Sequence, residues 1–155
     1  MERKMITAEE VIALAFGGDA HLDRAKISDG VILAAQNKFI RPVLGGVYDV
    51  ADTPPYLSFI NEWVKLPLAL YIKWLLLPEL IVEVGASGVV VRSCEDYVSA
   101  SEEQLRVMMQ RLRSEAEALL DRAVEELDKH PSLYTAYSPK DNVRCRTRIV
   151  GGVVI

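Results

Sequence analysis

The sequence predicts a mainly α-helical protein, a bundle of about four helices with a small β element near residues 89–92 and the C-terminal arm. The first observation is that apolar residues recur at helical spacing in segments that start at capping residues and stop at glycine or proline. The second is composition: 155 residues, 50% of them hydrophobic and 26% charged, fit one globular domain. We expect a helical body over residues 1–140 and an arm over residues 141–155 that is not an independent domain.

The first two helices are predicted from their ends. Thr7 and Glu10 fit a capping box, and Gly17-Gly18 permits the positive φ that ends a helix. Ser28 starts the second helix, which Gly45-Gly46 closes. A stiff turn at residues 52–55 then leads into the third helix.

The segment from Tyr56 to Val84 is the most apolar in the chain and predicts a central helix. At about 100° per residue, its charged residues fall within a wedge of roughly 120°. These residues are Glu62, Lys65, Lys73, Glu79 and Glu83. The rest of the helix must be enclosed by its own domain or by a neighbouring subunit, and we expect more apolar surface than one chain can hide. Pro67 and Pro78 predict kinks or breaks.

The longest predicted helix runs from Ser101 to Lys129 and stops at His130-Pro131. Overlapping capping boxes begin at Ser99 and Ser101. Its apolar residues recur about every 3.7 positions, which predicts a straight helix. The expected i,i+4 ion pairs are Glu102–Arg106 and Glu125–Lys129.

The C-terminal region has a different character, with Asp141 as the one acidic residue after position 131 against four basic residues. Arginines alternate with less polar residues over positions 143–150, which predicts a strand with one charged face. The candidate partner-binding residues are Arg144, Arg146, Arg148, Ile149, Val150, Val153, Val154 and Ile155.

Several interpretations of this arm are open. The charged face fits a solvated edge strand, a phosphate-binding patch, or an arm that docks on an acidic surface of another subunit. The apolar end must either fold back, with Val89–Val91 as the expected partner, or insert into another protein.

No catalytic, cofactor-binding or metal site is predicted, because the chain lacks the common catalytic and nucleotide-binding motifs. Asp19, His21 and Asp23 form the nearest approach to a metal cluster, but a solvated loop with Asp23 as a helix cap is favoured. His130 is expected to complement a helix dipole, and Cys94 and Cys145 to be free thiols in a reducing compartment.

Charge and hydropathy argue against two further classes of protein, general nucleic-acid binders and membrane-spanning proteins. A net charge of −4 argues against general nucleic-acid binding. Lys73, Glu79 and two prolines interrupt residues 66–82, so a buried helix is favoured over a membrane span. The N-terminus lacks the apolar region of a signal peptide, and we expect a soluble intracellular protein.

The order of these parts resembles a known family. The strings that carry the resemblance are residues 6–10, residues 36–45, residues 59–79 and the long charged helix that ends at His130-Pro131. Together they resemble the small helical head–tail connector (adaptor) proteins of tailed bacteriophages and prophages.

The resemblance implies a virion structural protein without enzymatic activity or cofactors. It implies a homo-oligomeric ring in the virion neck, made in the bacterial host cytoplasm, between the portal and the tail or stopper proteins. DNA would pass through without sequence-specific binding, and no membrane would be involved. The alternatives are a helical scaffold or regulatory module that binds a cellular protein through the arm, and a small metal-dependent enzyme built on Asp19, His21 and Asp23.

Overall fold

The computed structural model describes residues 3–18, 22–85, 88–91, 102–145, 149–150 and 153–154. Helices dominate these ranges, which confirms the mainly α-helical class. The helices are α1 (Ala8–Ala15), α2 (residues 29–44), α3 (Gly46–Val50), α4 (residues 56–81) and α5 (Glu102–Lys129), with a 3₁₀ turn at Arg24–Lys26. None of the described helices is both long enough and apolar enough to cross a membrane.

Local capping starts and ends these helices as the sequence predicts. The Glu10 amide donates to Thr7 Oγ1 at 3.3 Å, and the Thr7 amide donates to the Glu10 carboxylate at 2.9 Å. Gly17 and Gly18 have φ of 65° and 71° where α1 ends. Ser28 Oγ accepts the third amide of its helix at 3.3 Å. The capping boxes predicted at residues 99 and 101 begin outside the described residues.

Two helices widen into a π turn just before a proline. In α2 the π turn covers Gln36–Ile40 and precedes Pro42; in α4 it covers Ile60–Val64 and precedes Pro67. A π turn reaches the carbonyl five residues back, which gives room to a ring that would clash with a carbonyl four residues back. The helix continues through Pro67, so of the kink or break expected there the break is wrong and the kink stays a prediction.

Helix α4 also continues through Pro78, so of the kink or break expected there the break is wrong as well, and the helix ends at Ile81 instead of Val84. It lies against α1, α2 and α5, which enclose most of its apolar surface. Its buried residues after the π turn are Leu68, Ala69, Leu70, Tyr71, Ile72, Leu76 and Leu77. The expectation that one chain cannot hide this helix is wrong, because the domain itself buries it.

The described strands form two separate antiparallel hairpins. Strand β1 (Val82–Gly85) pairs with β2 (Gly88–Val91), and β3 (Ile149–Val150) pairs with β4 (Val153–Val154). The single β element expected from the Val89 region and the arm is therefore not supported among the described residues.

Candidate functional site

The segment that follows α5 is tightly packed on the helical body. The Ala136 amide donates to Tyr56 Oη at 2.9 Å, and the Val143 amide donates to the Pro42 carbonyl at 3.1 Å. At Gly46 there is no room for a side chain, since an added Cβ would lie 2.7 Å from the Ala136 carbonyl oxygen. This segment, residues 130–145, is thus fixed to α2, α3 and α4, and we call it the root of the C-terminal arm.

Asn142 turns the chain at the start of the arm. Its side chain is fully buried and donates to Tyr137 Oη at 3.1 Å. Its Oδ1 accepts the Arg144 amide at 2.9 Å, and its carbonyl accepts the Cys145 amide at 3.1 Å. This side-chain-stabilised turn competes with extended structure, so residues 143–145 are not part of the predicted strand. The described part of that strand is Ile149–Val150.

Arg144 contacts its own domain. Its guanidinium pairs with the Asp121 carboxylate and donates to the Glu117 carbonyl at 3.3 Å, both on α5. The other predicted partner-binding arginines, Arg146 and Arg148, lie outside the described residues. So does Ile155, and the structure describes Ile149, Val150, Val153 and Val154 as backbone strands. The division at residue 140 stays a prediction, with residues 141–145 in contact with the body.

An aromatic cluster lies where α2 and α4 meet α5. The rings of Phe39 and Tyr71 stack with centroids 4.2 Å apart, and Trp74 meets Phe39 edge-on at 6.0 Å. The Arg113 guanidinium lies 5.9 Å from the Trp74 ring and donates to Glu117 at 2.9 Å. Burial raises the pKa of Tyr71, so its hydroxyl stays neutral at physiological pH.

The N-terminal half of α5 has a groove on each of two opposite faces. We call the first the Trp74 groove, of about 380 Å³; its described lining is Trp74, Glu102, Leu105, Arg106, Met109, Gln110 and Arg113. The second, of about 510 Å³, is lined by Glu103, Gln104, Val107, Met108, Arg111, Leu112 and Glu115. At about 100° per residue, the two sets of α5 residues point in nearly opposite directions.

Apolar residues also lie at the surface of α5 and α4 in and beyond the second groove. Val107 and Met108 are 42% and 39% exposed, and Leu66 of α4 is 37% exposed. Leu119 and Trp63 line a small depression with Leu66, and Arg122 covers the Trp63 ring at 5.8 Å. We call these five apolar residues, Val107, Met108, Leu119, Trp63 and Leu66, the outer stripe.

Sequence reasoning missed the width of this apolar surface. The apolar residues that recur about every 3.7 positions along the last helix include Leu105 and Met108 but leave out Val107 and Met109. The consecutive apolar run at residues 107–109 is the signal that predicts more than one apolar face, because neighbouring helical residues point about 100° apart.

The residues considered for catalysis and metal binding have structural partners where they are described. Asp23 caps the 3₁₀ turn by accepting the Ala25 amide at 2.8 Å, as expected; Asp19 and His21 lie outside the described residues. His130 Nε2 lies 3.4 Å from a Glu126 carboxylate oxygen. Cys145 is a free, exposed thiol, and Cys94 lies outside the described residues.

The described residues provide no constellation typical of a catalytic pocket. Among them, no three His, Cys, Asp or Glu side chains lie close enough to hold a metal ion. Within the same ranges, every buried polar side-chain atom has a hydrogen-bond partner.

Residues 26–147 match a family of unknown function (DUF6712). The chain belongs to that family. The matched region takes in α2 to α5 and the packed root of the arm, and so includes both grooves of α5. No curated protein and no solved structure matches the chain.

Proposed function

We propose that this member of the family is a ring-forming head–tail connector of a tailed bacteriophage or prophage, a structural protein of the virion neck that joins the portal to tail or stopper proteins. The observation that carries the proposal is the outer stripe. It brings exposed and half-buried apolar side chains of α4 and α5 to the surface, and surfaces of this kind mark protein–protein contacts.

The outer stripe is extended along the helix. From Val107 to Leu119 the helix rises about 18 Å, at about 1.5 Å per residue. Arg111, Glu115 and Arg122 lie along it, so it combines apolar and charged groups as an interface does. In a closed ring each subunit presents two different surfaces to its two neighbours. The outer stripe supplies one surface, and the neighbour meets it with another face of the same fold.

The arm supplies the contact between rings. Its root is fixed by Asn142 and Arg144, whereas residues 149–154 carry four aliphatic side chains that gain free energy by burial in a partner. The acidic overall charge of −4 suits a ring through which DNA slides without sequence-specific binding.

Co-assembly with a portal protein encoded in the same genome tests the proposal. We expect the full chain to bind the portal and form rings visible by electron microscopy. The double variant Val107→Asp, Met108→Asp should abolish ring formation, because it places two charges in the subunit contact. Leu133→Asp is the control: Leu133 is 50% exposed and is not a residue of the outer stripe or of either groove, so rings should persist.

Two results would overturn the proposal. One is a chain that neither oligomerises nor binds the portal, and that outcome favours the scaffold or regulatory module with a cellular partner. The other is a gene neighbourhood without portal, capsid or tail genes. A monomer in the absence of portal is expected under the proposal, since the ring then lacks its template.

A further inference from the structure

The segment before α1, residues 3–6, lies on the helical body in the manner of a bound peptide. It belongs to no described helix or strand, so its backbone groups depend on other elements for hydrogen bonds. Gln36 of α2 provides two of these bonds: its Oε1 accepts the Met5 amide at 2.7 Å, and its Nε2 donates to the Arg3 carbonyl at 2.9 Å. Main-chain hydrogen bonds of this kind give peptide-binding sites much of their affinity.

The side chains of the segment are bound as well. Arg3 pairs with Asp52 and Lys4 pairs with Asp29, each at 2.7 Å. The next two residues of the segment are apolar, are 7% and 1% exposed, and belong to the core. The surroundings therefore suit two basic residues followed by two apolar ones, with carboxylates for the first pair and burial for the second.

The residues that receive the segment form a site that is incomplete without it. We call Asp29, Gln36, Tyr48 and Asp52 the Gln36 cleft. Gln36 is fully buried, and its third hydrogen bond runs from Nε2 to Tyr48 Oη at 3.1 Å. An amide at this depth is costly when it lacks partners, so the cleft favours a segment that offers an N–H and a C=O. Gln36 also begins the π turn of α2, a distortion that is frequent at functional sites.

The Gln36 cleft and the segment differ in their relation to the family. All four residues of the cleft lie within the matched region, residues 26–147, whereas residues 3–6 lie outside it. The cleft is therefore part of the family domain, and this chain fills it with a segment from outside that domain.

We propose that the Gln36 cleft is a peptide-binding site that takes residues 3–6 of a second copy in exchange for the chain's own segment. An identical segment makes the same two backbone hydrogen bonds and the same two ion pairs, so the exchange links copies without a new surface. The chain's own segment competes at an effective concentration on the order of 1 mM. The inference goes beyond the proposed connector function and does not depend on it, because it concerns a different part of the molecule from the outer stripe.

Peptide binding to the full chain tests the site. The double variant Met5→Asp, Ile6→Asp expels the chain's own segment, because it places two carboxylates where apolar side chains are buried. A fluorescent peptide of residues 3–8 is then titrated and followed by anisotropy. We expect binding at least ten-fold tighter to this variant than to the wild type, in which the chain's own segment competes. The matched control is the same peptide with both substitutions, which should not bind.

Charge reversal checks that the peptide occupies the Gln36 cleft. Adding Asp29→Lys and Asp52→Arg to the double variant should weaken binding of the wild-type peptide at least ten-fold. The same change should restore binding of a peptide that carries Arg3→Glu and Lys4→Glu. Binding that is insensitive to these charges would overturn the proposal, as would a lack of binding to a double variant with wild-type helical circular dichroism.

Cross-linking between full chains provides a measurement that leaves the core intact. A Lys4→Gln chain and an Asp29→Asn chain are mixed at about 1 mM, comparable to the effective concentration of the chain's own segment. Carbodiimide joins an amine directly to a carboxylate, so a Lys4–Asp29 amide in this mixture forms between two chains. The matched control mixes Lys65→Gln with Glu10→Gln, because that ion pair joins α1 to α4 and stays within one chain when residues 3–6 alone exchange.

Mass spectrometry of the digested products gives the yield of each amide. We expect the Lys4–Asp29 amide at a yield at least five-fold above that of the Lys65–Glu10 control. Equal yields in the two mixtures would indicate random collision or exchange of α1 as well, and would overturn exchange of the segment. The absence of an amide from both mixtures would also overturn it. Ring formation with the portal is measured separately, so the two proposals fail separately.

Discussion

Gln36 shows how one polar residue ties distant parts of the core together. Its side chain is fully buried and accepts the Met5 amide at 2.7 Å. It also donates to the Arg3 carbonyl at 2.9 Å and to Tyr48 Oη at 3.1 Å. We predict that Gln36→Leu lowers the free energy of unfolding by about 1–3 kcal/mol, because it leaves buried backbone groups without partners.

Urea denaturation measures this loss of stability. Tyr48→Phe serves as a milder variant for comparison. That variant removes one of the three hydrogen bonds and should cost about 0.5–1.5 kcal/mol. If Gln36→Leu unfolds at the same urea concentration as the wild type, then these bonds do not hold the N-terminal segment on α2.

Glu10 gives the protein a predictable sensitivity to acid. Burial alone would raise its pKa, but the hydrogen bond and charge of Lys65 and the Thr7 amide outweigh it and hold the pKa below the ordinary value of 4.5. A carboxyl with a lowered pKa in the folded state stabilises the fold above its unfolded pKa, and this contribution is lost as pH falls through the folded pKa.

We therefore predict that Glu10→Gln is less stable than the wild type at neutral pH and that the difference shrinks in acid below 4.5. Urea unfolding at a series of pH values measures the difference. Lys65→Gln should show a similar but smaller effect, since the bond to Thr7 remains. A difference that is constant with pH would contradict this account.

At the scale of single elements, two glycines with different surroundings give opposite predictions. An alanine Cβ at Gly30 in α2 would meet just Ser28 Oγ, at 3.7 Å, whereas at Gly46 it would collide with the Ala136 carbonyl. We predict that Gly30→Ala raises the free energy of unfolding by about 0.5–1 kcal/mol through helix propensity. Gly46→Ala should lower it by about 1–3 kcal/mol through overpacking.

Thermal unfolding followed by circular dichroism distinguishes the two variants, because each serves as the control for the other. The melting temperature should rise for Gly30→Ala and fall for Gly46→Ala. A fall for both would mean that the start of α2 does not tolerate a side chain, contrary to the open space around Gly30.

The ion pairs on helix α5 were partly predictable from residue spacing. The expected Glu125–Lys129 pair is present at 3.7 Å. Arg106 instead pairs with Glu103, at 2.6 Å, and not with the expected Glu102. Positions i+3 and i+4 are both neighbours on a helix, so spacing alone does not decide between two adjacent glutamates.

At the scale of the whole molecule, the segment after α5 closes the fold by crossing from α5 to α4, α3 and α2. Tyr56 Oη accepts the Ala136 amide and lies 3.5 Å from Thr135 Oγ1. We predict that Tyr56→Phe loses about 0.5–1.5 kcal/mol of stability and speeds hydrogen exchange at the Ala136 amide. Exchange at Leu120, buried in the middle of α5, serves as the internal control and should change much less.

An equal acceleration at both amides would show global destabilisation, in which case this segment does not open by itself. Faster exchange at the Ala136 amide alone would show that the root of the arm opens without unfolding of the helical body. That result bears on how the arm is delivered to a partner, because the root sets where the arm leaves the body.

The sequence by itself determined the helical class and where α1 and α2 begin and end, as well as the end of α5. Capping residues, apolar period and helix-ending glycine or proline act within a few residues, so their effects can be read locally. The tertiary structure alone decided that the domain encloses α4 and that Arg144 binds α5. Each of these depends on groups far apart in the chain that meet only after folding, and a local pattern carries no record of such a meeting.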